Sequence, residues 1–270
     1  MREFDLYIVP TPIGNLGDIT QRALEILSSV DVIACEDIRV TQKLLNQFNI
    51  GTKCVSYHKF NEKERLSMFV NLLEEGKKIA LVSDAGTPLF CDPGAVLVKE
   101  LREKGFKITA LAGANAVATF LSQVAREGED FFFAGFLPRI KGQIEALLER
   151  YKNTDIVFYE SPNRIMNTLN LIKEFNPSCR VAVGRELTKV FEEVVEGSAA
   201  EVIEYFQNNV LKGEIVGIVF RTPDIAENID IESKIQILKK KNFSSKDISV
   251  ILSSLYNISK NDVYKKSSCD

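Results

Sequence analysis

Short apolar runs alternate along this chain with longer segments whose apolar residues recur every three or four positions, a spacing that predicts strands alternating with helices. The predicted strands of the first half are Leu6–Val9, Val32–Cys35, Lys53–Ser56, Ile79–Val82 and Lys107–Leu111. Between them lie a helix capped by Thr20 and running to Ser29, then helices at Thr41–Phe48, Glu62–Glu75 and Gly94–Lys104. Gly76 and Gly105 supply the stops. Such βα alternation predicts a mostly parallel sheet covered by helices.

A second half begins near Gly113. Its predicted helices are Ala114–Ala125, Gln143–Lys152, Ile165–Phe175 and Ala199–Asn209. Its predicted strands are Phe131–Phe136, Ile156–Tyr159, Arg180–Gly184, Glu192–Glu196 and Ile215–Arg221. The third and fourth of these have no helix between them, so this sheet is expected to be mixed or antiparallel. The pattern predicts an α/β protein with two α/β domains, 1–112 and 113–224, and a ligand cleft between them. A polar linker from Thr222 to Asp230 leads to a small helical module, 231–270, with helix starts at Ser244 and Ser259 and a turn around Tyr256-Asn257-Ile258. From Ser233 to Lys266 this module carries eight lysines against Asp247 and Asp262, on a chain whose net charge is −3. It either docks RNA through phosphates or is a solvated tail that packs on the rest of the protein.

Polar clusters sit just past several predicted strands, where open α/β sheets bind ligands. Ser83-Asp84-Ala85-Gly86-Thr87-Pro88 combines small residues, a carboxylate and a Gly. It is either a binding loop or an Asx-capped turn. Pro10 to Gly17 contains G-x-x-G rather than a dinucleotide fingerprint, and is a rigid turn or a site. Glu36-Asp37-Ile38-Arg39 could hold an anionic or hydroxyl-rich substrate, or form a solvated ion pair capping the next helix. Tyr159 to Arg164 and Arg185 to Lys189 occupy the same kind of edge. Four such clusters could converge on one cleft. His58 reads as structural or solvated, and Phe131-Phe132-Phe133 as core, with base stacking as the alternative.

Composition narrows the chemistry. Apolar residues make up 45% of 270, enough for a sizeable core. The slight net negative charge supplies no bulk attraction to nucleic acid or anionic membrane. The five cysteines are scattered without C-x-x-C and there is one histidine, so neither a disulfide framework nor a His- or Cys-rich metal site is expected. No signal-peptide core opens the chain and no apolar run reaches membrane-spanning length, so a cytoplasmic protein is expected.

Taken in order, TPIGNLGDIT, ED-x-R, SDAGTP followed by DPG, GFLP, ESPNR and RELTK resemble the tetrapyrrole methylase superfamily, and within it the 16S rRNA cytidine 2′-O-methyltransferases. The resemblance covers roughly residues 4–225 and extends to that family's small helical extension. The chain departs from the pattern at Ile38, Cys91, Ala112, Ala114 and Asn163, and keeps Asp84 and Gly113. The resemblance implies a homodimer that binds S-adenosylmethionine in the inter-domain cleft and methylates a cytidine ribose of 16S rRNA in the small ribosomal subunit. It implies cofactor contacts at Ser83, Asp84, Ala85, Gly86, Thr87, Gly113, Glu160 and Ser161. Asp37, Arg39 and Lys189 are the expected catalytic residues: Asp37 as base or hydroxyl orienter, the two cations for phosphate or oxyanion charge. No metal is required, because the leaving group is neutral. Alternatives on the same fold are a small tetrapyrrole or diphthine-type substrate, or a catalytically silent ribosome-binding protein.

Overall fold

Two five-stranded sheets lie within residues 1–221 of the computed structural model, and residues 222–270 form a separate compact unit. The structure describes residues 4–209, 211–222, 231–256 and 259–268. Most of the expected linker, 223–230, and the turn positions 257–258 lie outside these.

The first sheet contains β1 (Leu6–Ile8), β2 (Val32–Cys35), β3 (Lys53–Ser56), β4 (Ile79–Val82) and β5 (Ile108–Ala110) in the order β3-β2-β4-β1-β5, all parallel. Its central strands are buried on both faces, which explains their unbroken apolar runs. The covering helices are α1 (Gln21–Ser29), α2 (Ile38–Gln47), α3 (Glu62–Glu74) and α4 (Ala95–Glu103). Leu27 and Leu45 pack on one face of the sheet, Phe69, Leu97 and Leu101 on the other. Thr20 caps α1 by accepting a hydrogen bond from Ala23 N. Helix α2 starts three residues before the expected Thr41, because the Asp37 side chain accepts from Arg39 N and serves as the cap.

The second sheet is mixed. It contains β6 (Phe131–Phe136), β7 (Asp155–Glu160), β8 (Arg180–Arg185), β9 (Glu193–Ser198) and β10 (Ile215–Val219) in the order β6-β7-β10-β8-β9. Only the β6–β7 pair is parallel. The helices are α5 (Ala116–Leu121), α6 (Lys141–Arg150), α7 (Pro162–Phe175) and α8 (Ala199–Gln207). Helix α5 is shorter than the expected Ala114–Ala125: Asn115 caps it by accepting from Val117 N and Ala118 N, and it ends at Ser122. Helix α7 begins at Pro162 rather than Ile165, since proline is suited to a first turn whose N–H has no partner in the helix.

In the second unit, α9 (Ile231–Lys240), α10 (Ser245–Tyr256) and α11 (Lys260–Ser268) enclose Ile235, Ile248, Leu252 and Val263. Ser244 caps α10 through Asp247 N, and Ser259 accepts from Asp262 N at the start of α11.

Candidate functional site

Topology brings the polar clusters together. Strands β2, β4 and β1 are parallel neighbours, so Glu36, Asp84 and Pro10 all leave the same edge of the first sheet. In the second sheet, Ile215 of β10 is in register with Glu160 at the end of β7 and with Arg185 at the end of β8. The loops after β7 and β8 and the residues before β10 therefore share one edge. These two edges line a cavity of about 410 Å³.

The loop after β4 is held from both sides. Thr11 and Gly86 exchange two backbone hydrogen bonds of 2.9 Å, and the Thr11 hydroxyl donates to Ser83 O. Ser83 is buried, its hydroxyl donating to Ala85 O, and the Thr87 hydroxyl donates to Ala114 O at 2.9 Å. Gly86 has φ +74°, and an added Cβ would meet Ile13 at 3.2 Å. The loop thus presents bare backbone to the cavity. Four further non-glycine residues, Leu89, Cys91, Glu186 and Thr188, take left-handed backbone angles on the two edges. Each such residue costs on the order of 1–3 kcal/mol, and such strain gathers where a loop is shaped for a ligand.

Asp84, Ala85, Gly86, Thr87, Glu160 and Ser161 line the cavity, as does Glu36. Ser83 lies beneath the loop rather than in the wall. Gly113 is also outside the lining: it packs against Pro10, whose Cβ would stand 2.6 Å from an added methyl. Asp37, Arg39 and Lys189 are not lining residues. The Asp37 carboxylate receives Arg39 Nη2 at 2.6 Å and Nε at 3.1 Å, and this partner lowers its pKa to about 2. That is the helix-capping ion pair, and a carboxylate so strongly ionised is a weak proton acceptor. Asp37 reaches the site through its backbone, its N–H donating to Asp84 Oδ1 at 3.0 Å. Lys189 Nζ bridges Glu186 and Glu214, and Glu214 does line the cavity.

Glu160 is an anchor. Its buried carboxylate accepts from Ser161 N, from the Thr168 hydroxyl and from Arg164, while Arg164 also donates to the carbonyls of Leu137 and Pro138. The ESPNR and GFLP segments are thereby one rigid piece.

Asp92 and Tyr159 fall in the DPG and Tyr159–Arg164 segments but are not among the expected catalytic or cofactor-binding residues. Both line the cavity beside Glu36. Burial raises the Glu36 pKa, and the like charges of Asp84 and Asp92 push the same way. Burial also raises Asp92, with the Ser83 hydroxyl offsetting it and Asp84 adding to it. Burial holds Tyr159 protonated, with a pKa near 12. The lining contains five acids and no lysine, arginine or histidine. Such a wall complements a cationic ligand and repels a free phosphate. Among the described residues no group of three or more His, Cys, Asp or Glu side chains is arranged to hold a metal ion, and no helix is long and apolar enough to cross a membrane. His58 serves its own turn, with Nδ1 accepting from Phe60 N, and is not a lining residue.

Residues 5–203 match the profile of the Tetrapyrrole (Corrin/Porphyrin) Methylases. The chain is 43% identical over 267 residues to Ribosomal RNA small subunit methyltransferase I of Vibrio cholerae serotype O1, covering 96% of this chain and 93% of that one. It is 40% identical over 247 residues to the protein of the same name from Rickettsia prowazekii, covering 90% and 88%. Among solved structures it is similar to uroporphyrin-III C-methyltransferase from Thermus thermophilus complexed with S-adenosyl homocysteine. That match has a TM-score of 0.55 and 16% identity, covering 79% of this chain and 96% of the other. The profile match spans well over half of the chain and the identity to named methyltransferases runs nearly its whole length: the chain belongs to the tetrapyrrole methylase family.

Proposed function

We propose that this chain transfers a methyl group from S-adenosylmethionine to a cytidine ribose 2′-hydroxyl of 16S rRNA in the small ribosomal subunit. The observation that carries this reading is identity of 43% across nearly the whole length of a named small-subunit rRNA methyltransferase, including the lysine-bearing terminal unit.

The cavity fits the cofactor's chemistry. Its volume, about 410 Å³, lies in the range of small-molecule sites. The bare backbone around Gly86 admits close approach, the carboxylates of Asp84, Glu36 and Asp92 complement a sulfonium and an ammonium, and Ile13, Leu187 and Val216 offer apolar contact for a purine. When bound, S-adenosylmethionine supplies an electrophilic methyl on a cationic sulfur and leaves as a neutral thioether. Asp84, Ala85, Gly86, Thr87 and Ser161 hold it by wall contacts, while Ser83, Gly113 and Glu160 shape the loops around it. Glu36 is the favoured proton acceptor for the ribose hydroxyl, because its raised pKa makes it a better base than Asp37. Asp37 then orients Asp84. Arg39, whose side chain is 87% exposed, and Lys189 meet RNA phosphate beside the acidic cavity. The cation-poor wall leaves the phosphates outside and admits the ribose edge.

The reading includes a homodimer, which light scattering tests directly. For the reaction, purified protein is incubated with methyl-labelled S-adenosylmethionine and naked 16S rRNA, assembled small subunits or tetrapyrroles. Label in an alkali-resistant cytidine dinucleotide, unaffected by a chelator, is the expected result. Label on a base, or on a tetrapyrrole instead of RNA, would overturn it.

A further inference from the structure

We propose that Phe136 and Arg139 form a landing ledge for single-stranded RNA at the cavity rim, Phe136 stacking a base and Arg139 pairing with a phosphate. The proposal rests on the rRNA reading above and assigns part of that substrate's contact surface.

Phe136 lines the cavity yet keeps 60% of its surface exposed. A solitary exposed ring would be unremarkable, but this one is aimed and backed. The β6–β7 pairing shifts register between Phe133 and Phe136, and Gly135 takes φ +65° there. Without the shift, strand alternation would put Phe136 on the same face as Phe132, which stacks on Tyr151. With it, Phe136 shares the face of Phe133, and both rings contact Tyr159, at 5.7 and 5.1 Å. Bulges commonly re-aim a side chain next to a site. Phe90, also in the cavity wall, stacks on Phe133 at 5.0 Å and extends the aromatic surface.

The backbone beyond Phe136 is fixed as well. Arg164 Nη2 donates to the carbonyls of Leu137 and Pro138 at 2.9 and 2.8 Å, and the Arg164 guanidinium is itself held by buried Glu160. Arg139 follows at once, exposed and without an ion pair among the described residues. A held ring followed by an uncommitted guanidinium is the arrangement that binds unpaired nucleotides, since every base offers a π-face and Arg recognises phosphate. The acidic cavity itself cannot take the phosphate. An exposed cation three residues after the ring, outside the acidic lining, separates the two tasks.

The test uses the full chain, a cytidine-containing single-stranded oligoribonucleotide and assembled small subunits. Binding is followed by anisotropy and S-adenosylmethionine affinity by calorimetry. Phe136→Leu is expected to weaken RNA binding on the order of tenfold, with cofactor affinity changed less than twofold, and Phe136→Trp to restore it. Arg139→Gln is expected to lower the slope of log affinity against log salt by about one. Wild-type RNA affinity in Phe136→Leu would overturn the ledge while leaving the rRNA reading intact. So would a cofactor loss as large as the RNA loss, which would place the ring on the cofactor. Absence of RNA binding by the wild-type protein would overturn the rRNA reading, and the ledge with it.

Discussion

Asp84 and Glu36 occupy adjacent strand ends yet do different work. Asp84 is oriented by the Asp37 N–H, so its carboxylate is pre-set toward the cavity before any ligand arrives. Asp84→Ala should weaken S-adenosylmethionine binding by about 1–3 kcal/mol in calorimetry, the range for a hydrogen bond to a charged group that binding desolvates. Glu36 carries a pKa raised above 4.5 by burial and by Asp84 and Asp92. As the proposed base it must be ionised, so kcat/KM should rise with pH through that raised value and level off above it. Glu36→Gln should remove this limb and most of the turnover while the cofactor still binds; a retained limb would assign it to Asp92. Asp37 follows the opposite rule. Its folded pKa of about 2 is depressed from 3.8, so its ion pair with Arg39 is complete above that ordinary value and is lost as pH falls through about 2. It contributes nothing to pH dependence near neutrality.

At the scale of elements, the site depends on how loops are tied to strand ends. The Glu160–Arg164 pair joins the first turn of α7 to the segment after β6. Arg164→Ala would leave a buried carboxylate with two neutral donors, Ser161 N and the Thr168 hydroxyl. It should lower the free energy of unfolding by about 3 kcal/mol, measured in urea, because breaking one side of a buried pair strands a charge. The more conservative Arg164→Lys should recover only part of this, since one ammonium cannot reproduce the guanidinium's contacts to Glu160 and to two carbonyls. The short helix α5 is likewise set by its cap and joined to the loop after β8, Gln123 donating to Glu192, which in turn accepts from Thr188 N.

At the scale of the whole molecule, the acidic cavity and the lysine-bearing terminal unit divide the charge. Residues 231–268 have their own small core, and residues 1–221 carry cores on both sheets. Removing everything after Pro223 should therefore leave S-adenosylmethionine affinity unchanged while weakening rRNA binding. It should also flatten the salt dependence of that binding, since fewer counterions are released. An unchanged slope, measured by titration at several salt concentrations, would mean that this unit does not touch RNA.

The order of strands and helices was legible because periodicity is local: runs such as Ile79–Val82 announce a buried strand whatever they pair with. The caps at Thr20, Ser244 and Ser259 and the loop around Gly86 were legible for the same reason. Position relative to a strand end also sufficed to place Asp84 through Thr87 and Glu160 on the edges that line the cavity. Which acid faces the cavity was not legible. Glu36 and Asp37 are adjacent in sequence, and only the strand's exit and the start of α2 decide that one lines the wall while the other caps a helix and pairs with Arg39. The close fit of Gly113 against Pro10, outside the cavity lining, was not legible either. The roles of Asp92, Tyr159 and Phe136 depend on register, on a bulge and on burial. These are products of long-range pairing. A sequence read locally carries the propensity of each element, whereas the electrostatic and steric environment of a side chain exists only after distant elements have packed around it.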